Sequence, residues 1–269
     1  MSDLLNVLSA LLREEHIEVF AAMPLDRCRM TYPALLSRVL PEAKTVILFL
    51  IPYRTEEKGE KRNISLYAVP KDYHLYCRAL TTRLCGALHE AFPEGDFCGF
   101  ADHSPIDERD AAVCAGLGVP GDNGLLINER YGSYVFLCEI YTDLPFAGTF
   151  TPGEKKECLH CGACRSACPA NGECFSAVTQ KKGDLTGEET ALLRKEGCAW
   201  GCDRCQEVCP LNRDTEETPI AFFREDRIPF LTAETVERMT DGEFAERAYA
   251  WRGRKTILRN LRLLEDTGN

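Results

Sequence analysis

Several things are scarce in this chain of 269 residues, and each absence removes a class of protein. No apolar run approaches the roughly 20 residues needed to span a bilayer, so no membrane protein is expected. The opening MSDLLNVLSALLREEHIEVF sets charges within an amphipathic helical pattern. It lacks the basic segment and apolar core of a secretory signal, so a cytoplasmic location is expected. Positive charge is also short: 32 Lys and Arg stand against 42 Asp and Glu, for a net charge of −10. That balance argues against a general nucleic-acid binder, which carries a basic surface. Residues 252–262, RGRKTILRNLR, gather local positive charge, which serves either a basic stripe or the solvated face of a last helix. No repeat of the length used by solenoids or propellers is present. Hydrophobic residues make up 45%, enough for a packed core, which excludes a disordered chain. The length suits one large domain or two modest ones.

Cysteine is the opposite case, with fifteen in the chain. Cys158, Cys161, Cys164 and Cys168-Pro169 form C-x2-C-x2-C-x3-C-P, the run that wraps one corner of a bacterial two-cluster ferredoxin. Cys202, Cys205 and Cys209-Pro210 repeat it without the first member. Cys174 lies between the runs as the replacement, and Cys198 is its rival. Thiolates are soft, negative ligands, so four converging on one site select iron–sulfur or zinc over hard cations. Structural zinc usually uses paired C-x2-C hooks, which this spacing fits poorly. A disulfide framework belongs to short secreted chains. Two 4Fe–4S clusters are therefore expected. In the two-cluster pattern the fourth cysteine of each run crosses to the other cluster. Cys158, Cys161 and Cys164 would share one with Cys209, and Cys168 would join Cys202, Cys205 and Cys174 around the second. Trp200 and Phe175 flank these ligands and are expected to shield them from water. Cys28, Cys77, Cys85, Cys98, Cys114 and Cys138 read as small buried apolar residues.

Before the cysteine runs the chain reads as α/β. VILFLI (46–51) and Phe97 to Ala101 suit buried strands, and the charged stretch 54–62 suits a loop. Asp72 opens a helical pattern reaching about Glu90, and Pro105 with Asp107 begins another. Residues 125–128 and 134–142 are predicted to pair as strands across Tyr131-Gly132-Ser133. Composition changes between Pro145 and Pro152, and residues 181–187 look like a polar insertion between the half-motifs. Thr232 or Thr235 caps one predicted later helix, and Asp241 with Glu243 starts another. The expected domains are 1–150, 151–215 and a helical segment 216–269.

FADHSPIDER (100–109), AGLGVPGDNGLLIN (115–128), YGSYVFLCEI (131–140), YAVPKDYH (67–74) and GCDRCQEVCP (201–210) together resemble the epoxyqueuosine reductase family. EFAERA with TILRN (243–260) matches the stretch that follows the clusters there, so the resemblance covers roughly residues 40–265. It implies an α+β protein: a nitroreductase-like α/β domain that holds cobalamin, a ferredoxin-like module with two 4Fe–4S clusters, and a helical end. The implied reaction reduces an epoxide on a modified tRNA wobble nucleoside to an alkene. An external donor of flavodoxin or ferredoxin type would supply the electrons.

The resemblance places Asp102 as the general acid, at the end of a predicted buried strand where desolvation would keep it protonated. It places Tyr73 and His74 near the corrin, with Gly118, Gly121, Asn123, Gly132 and Ser133 in backbone-rich turns beside it. Without the resemblance, Asp102 would read as a cap or turn residue and the glycines as turn makers. Asp122 stands where the family usually has lysine, Cys138 and Pro70 where it has glycine, and Leu211 where it has an aromatic. The family also has a C-terminal helical-repeat region used against tRNA, whereas this sequence ends at 269. That ending and the acidic balance weigh against whole-tRNA recognition. Two alternatives remain: a corrinoid reductase of another small substrate, and a two-cluster electron carrier without catalysis.

Overall fold

The computed structural model describes residues 2–266 except 56–58, 60, 155 and 171–172. Part of the charged stretch 54–62 therefore lies outside the described residues. Two compact units emerge, and each is assembled from separated segments. The first combines Met1–Tyr53, Tyr76–Cys161 and Asp214–Ile220; the second combines Arg54–Leu75, Gly162–Arg213 and Ala221–Asn269. The compositional change at 145–152 falls inside the first unit.

The first unit is built on four strands: β1 (Phe20–Pro24), β2 (Thr45–Pro52), β3 (Phe97–Ala101) and a long strand at Val135–Thr142. Between β3 and that long strand lie two short ones, β4 (Val119–Pro120) and β5 (Leu126–Ile127), so the long strand is β6. The sheet order is β1-β2-β6-β3, and every pairing is antiparallel. The reading of this half as α/β is thereby corrected to α+β. An unbroken apolar strand marks burial on both faces, not parallel pairing, and all eight residues of β2 are buried. The strand at 20–24 carries too weak an alternation to be legible. The predicted pairing of 125–128 with 134–142 does not form. β5 pairs with β4 instead, and β6 lies between β2 and β3. Reciprocal 2.9 Å backbone hydrogen bonds between Asn128 and Gly132 close a tight turn, with Gly132 at φ 59°, which reorients the chain before a hairpin can start.

Helices of this unit cover the sheet through apolar stripes. α1 (Ser2–Glu14) buries Leu4, Leu8 and Leu12, one residue per helical turn. α2 is Pro33–Val39, and α3 (Tyr73–Ala91) buries Cys77, Leu80, Thr81, Leu84 and Leu88. A side chain on Gly99 of β3 would place Cβ 2.4 Å from the Thr81 Cβ, so glycine there lets the helix sit close. α4 (Glu108–Cys114) is capped by Asp107, whose side chain accepts from the Asp110 amide.

In the second unit α5 (Ala163–Ser166) holds Cys164 and α8 (Arg204–Glu207) holds Cys205, with α6 (Phe175–Gln180) and α7 (Gly187–Glu196) between them in sequence. The insertion at 181–187 ends in the N-cap of α7, a capping box between Thr186 and Glu189. α9 (Ala233–Arg238) is capped by Thr232, and α10 (Asp241–Ala245) by a second capping box at Thr240 and Glu243. The basic stretch forms α11 (Arg254–Glu265), whose inner face buries Thr256, Ile257, Asn260 and Leu261. Two buried asparagines rivet these pieces. Asn63 exchanges hydrogen bonds with Leu231, and Asn260 donates to the carbonyls of Thr179 and Ala199. A parallel bridge from Ile64 to Trp200 fastens the 54–75 segment to the cysteine-bearing chain. Trp200 and Phe175 are buried there, with the Trp200 indole donating to the Tyr67 hydroxyl at 2.9 Å.

Candidate functional site

All fifteen cysteines are free thiols. In the second unit α5 and α8 pack side by side, each holding the later cysteines of a C-x2-C pair, which brings the two half-motifs together. Cys202 lies within electrostatic reach of Cys168 and Cys174. Burial pushes its thiol up to about 11, while the backbone amide of Arg204 hydrogen bonds it and favours the thiolate. In the first unit the amide of His160 donates to Cys158 Sγ at 3.4 Å, the same relation two residues on. An N–H aimed at sulfur is the arrangement that suits a cluster thiolate. The left-handed backbone of His160 (φ 47°) makes that turn.

Cys198 behaves differently. Its sulfur sits 3.5 Å from the Trp200 carbonyl and 3.4 Å from that of Gly201, so it is placed as a thiol donating to acceptors. Burial pushes it up to about 12, against a backbone hydrogen bond from Trp200 that favours the thiolate. Cys198 and Cys202 line one cavity of about 200 Å³, whereas the exposed Cys174 lines another. Cys161 is placed in the first unit with Cys158; Cys164, Cys205 and Cys209 are placed in the second.

Asp122, the acidic replacement noted in the sequence, accepts from His160 Nδ1 at 3.0 Å. The carboxylate thus orients an imidazole that also lies 3.5 Å from Cys158 Sγ. Tyr73 and His74 stack at a ring separation of 4.0 Å at the start of α3. Asp72 caps this helix, accepting from the His74 amide at 3.0 Å and bonding its Nδ1 at 2.7 Å. These two residues belong to the second unit, and Asp102 to the first.

Asp102 is exposed, and its backbone is left-handed at φ 63°. β3 itself is only half-buried, so the fold does not supply the desolvation expected at this aspartate. Gly118 and Gly121 serve their own turn. A Cβ on Gly118 would lie 2.6 Å from the Ile127 carbonyl oxygen, and one on Gly121 2.4 Å from Asn123 Oδ1. Asn123 spends that oxygen on the Leu125 amide, while its Nδ2 is buried with no acceptor. Gly132 and Ser133 are both buried at the entry to β6.

The desolvated acids of this unit lie elsewhere. Glu139 sits in β6 between Leu48 and Phe100 and is 0% exposed. Its Oε2 accepts from the Ser104 hydroxyl at 2.6 Å and the Tyr141 hydroxyl at 2.7 Å, and its Oε1 is buried without a partner. Burial raises it to about 7 against those two hydrogen bonds. Glu108 opens α4 with Oε2 likewise sealed and unpartnered. Burial, followed by the charges of Glu139 and Asp102, raises it to about 9. Sequence reasoning passed over both residues. The one available signal was a single charge inside the apolar strand VFLCEIYT.

Residues 34–103 match the family model described as epoxyqueuosine reductase QueG, DUF1730, and residues 157–212 match the 4Fe-4S dicluster domain. Epoxyqueuosine reductase from Staphylococcus aureus is 30% identical over 247 residues, covering 82% of this chain and 63% of the relative. That from Aliivibrio fischeri is 36% identical, but the chain spans only 45% of it. The solved epoxyqueuosine reductase of Streptococcus thermophilus superposes with a TM-score of 0.79 at 23% identity, covering 98% of this chain and 81% of that one. Another solved epoxyqueuosine reductase, with an epoxyqueuosine-modified tRNA stem loop, gives 0.77 at 22% identity, covering 97% and 81%. The enzyme of Listeria monocytogenes is 31% identical over 275 residues, covering 93% of this chain and 70% of its own length, and with that match the chain belongs to the epoxyqueuosine reductase family.

Proposed function

We propose that this chain is a cobalamin- and iron–sulfur-dependent reductase that converts an epoxide on a modified tRNA nucleoside to an alkene. The observation that carries this reading is the joint presence, in one chain, of the family's sequence and a dicluster module whose Cys168, Cys174 and Cys202 converge. Cys158, Cys161, Cys164 and Cys209 hold one cluster, and Cys168, Cys174, Cys202 and Cys205 the other. Cys174 is preferred to Cys198 because the Cys198 sulfur faces two carbonyls, those of Trp200 and Gly201. A one-electron carrier of flavodoxin or ferredoxin type feeds the clusters.

The residues present suit a corrin. Asn123 Nδ2 is a buried donor lacking an acceptor, and the rim of a corrin carries amide carbonyls. Bound cobalamin supplies the low-valent cobalt that delivers electrons to substrate. Asp102 gives a proton to the departing oxygen, and Tyr73, His74, Gly132 and Ser133 line the cofactor. The 1–150 segment contributes the nitroreductase-like corrinoid domain, 151–215 the ferredoxin-like module and 216–269 the helical end. The net charge of −10 favours a second reading, reduction of a smaller corrinoid substrate.

Anaerobic reconstitution with iron, sulfide and cobalamin, followed by visible spectroscopy and an assay on an epoxyqueuosine-modified stem loop, tests this. Corrin retention with turnover is expected. Retention without turnover selects the second reading, and no retention leaves an electron carrier.

A further inference from the structure

Reducing an epoxide to an alkene consumes two electrons and two protons: both C–O bonds break, a C=C bond forms and the oxygen leaves as water. Asp102, in the role proposed above, supplies one proton per protonation and must be recharged to supply the second. It stands exposed at the end of β3, its charge bears on Glu108, and Glu139, paired with Phe100 two residues before Asp102, bears on Glu108 in turn.

Neither of those acids is arranged as a permanent anion. Glu139 is wholly buried, with one oxygen bonded by two hydroxyls and the other by nothing. Glu108 has a sealed, unpartnered oxygen at the start of α4. A charged carboxylate with an oxygen stripped of both water and donors is costly, and a proton on the group removes that cost. No cation figures among the groups that bear on either acid. Glu108 meets Glu139, Asp102 and, from α3, Cys77; Glu139 meets Ser104 and Tyr141, and bears in turn on Cys28 and on Cys138 beside it. Among the described residues, then, neither acid has an ion pair, the usual structural reason for a buried carboxylate.

We propose that Glu108 and Glu139 hold a proton in reserve and pass it to Asp102, so that the second proton of the reaction comes from inside the fold. After Asp102 protonates the departing oxygen, the Glu108 carboxyl restores its proton. Glu139 limits the charge left on Glu108, and solvent reprotonates the pair once water has left. The values of about 9 for Glu108 and about 7 for Glu139 leave the pair partly protonated at neutral pH, which a reserve requires. Both residues act through Asp102 as positioning residues for its proton. This inference rests on the reading of Asp102 as the acid.

The test separates the two claims. Infrared pH titration of the cluster-loaded protein without cobalamin is compared for wild type, Glu108→Gln, Glu139→Gln and Asp102→Asn. A carboxyl band lost near pH 9 is expected in wild type and is absent from Glu108→Gln, which keeps the Glu139 band lost near pH 7. The Asp102 signal, identified by Asp102→Asn, is expected to titrate in coupled steps in wild type and in one step in Glu108→Gln. In the holoenzyme, Glu108→Gln should lower kcat about tenfold at unchanged KM and remove the alkaline limb of its pH profile. A wild type with no protonated carboxyl at neutral pH, or an Asp102 titration that ignores Glu108→Gln, overturns the reserve whether or not the enzyme turns over. An unchanged kcat profile in Glu108→Gln, with Asp102→Asn inactive, overturns the reserve and leaves Asp102 as the acid. Full activity in Asp102→Asn removes the acid role and the reserve with it.

Discussion

Each unit of the molecule buries a carboxyl group, and the two are treated in opposite ways. Asp203 of the second unit is satisfied on every side: Arg62 pairs with it, the Ser65 hydroxyl donates at 2.5 Å and the Leu66 amide at 2.7 Å. Glu139 of the first unit has two hydroxyls on one oxygen and none on the other, and no cation among the described residues bears on it. Burial alone does not mark a working acid. A fully partnered carboxylate is fixed in its charge and holds chain segments together; an incompletely partnered one can change its proton at modest cost.

That contrast breaks first at Asp203. Asp203→Ala leaves Arg62 with Glu207 but deprives the Ser65 hydroxyl and the Leu66 amide of their acceptor, so it should cost about 1–3 kcal/mol of stability in chemical denaturation. A loss under 1 kcal/mol would show that Asp203 is not the fastening. The pH dependence of stability comes next. Glu108 and Glu139 are raised in the fold above the ordinary carboxyl value of 4.5, so the folded state binds more protons than the unfolded one. Their contribution is fully present below pH 4.5 and is lost as pH rises through about 7 and then about 9. Glu139→Gln should flatten the lower part of that decline and Glu108→Gln the upper part, whereas identical slopes in all three proteins would contradict the burial of both acids. The smallest change tests the same distinction among thiols. Cys174→Ala should lose about half the iron after reconstitution, and Cys198→Ala almost none; the reverse result would exchange their roles.

What could be seen in the sequence divides along the distance over which an interaction acts. The cysteine runs were legible because cluster ligation imposes spacing over a few residues. The caps at Asp72, Asp107 and Thr232 were similarly foreshadowed, since each bonds an amide two or three residues away; the start of α10 at Asp241 was legible too, though not its cap, Thr240. Strand partnership was not, because β6 is placed by β2 and β3, whose sequences lie far from it. The same holds for Asn63 and Leu231, and for the joining of 54–75 to the second unit. At the candidate site, Asp102 was visible only through its family resemblance, and its expected burial belongs instead to Glu108 and Glu139. Their pairing joins a helix start to a strand interior, which no local pattern announces.

The left-handed backbone at Asp102 bears on how this protein can change over generations. At φ 63° most side chains are strained, aspartate and asparagine less than others, and glycine not at all. Replacing Asp102 with glycine would therefore relieve the chain while deleting the proposed acid. In a lineage that had stopped using the reaction, mutation would have an easy exit toward glycine or asparagine. Such an exit makes this position a recorder: wherever the aspartate persists with that backbone, the strain has been kept rather than relieved, as the proposed acid role would require.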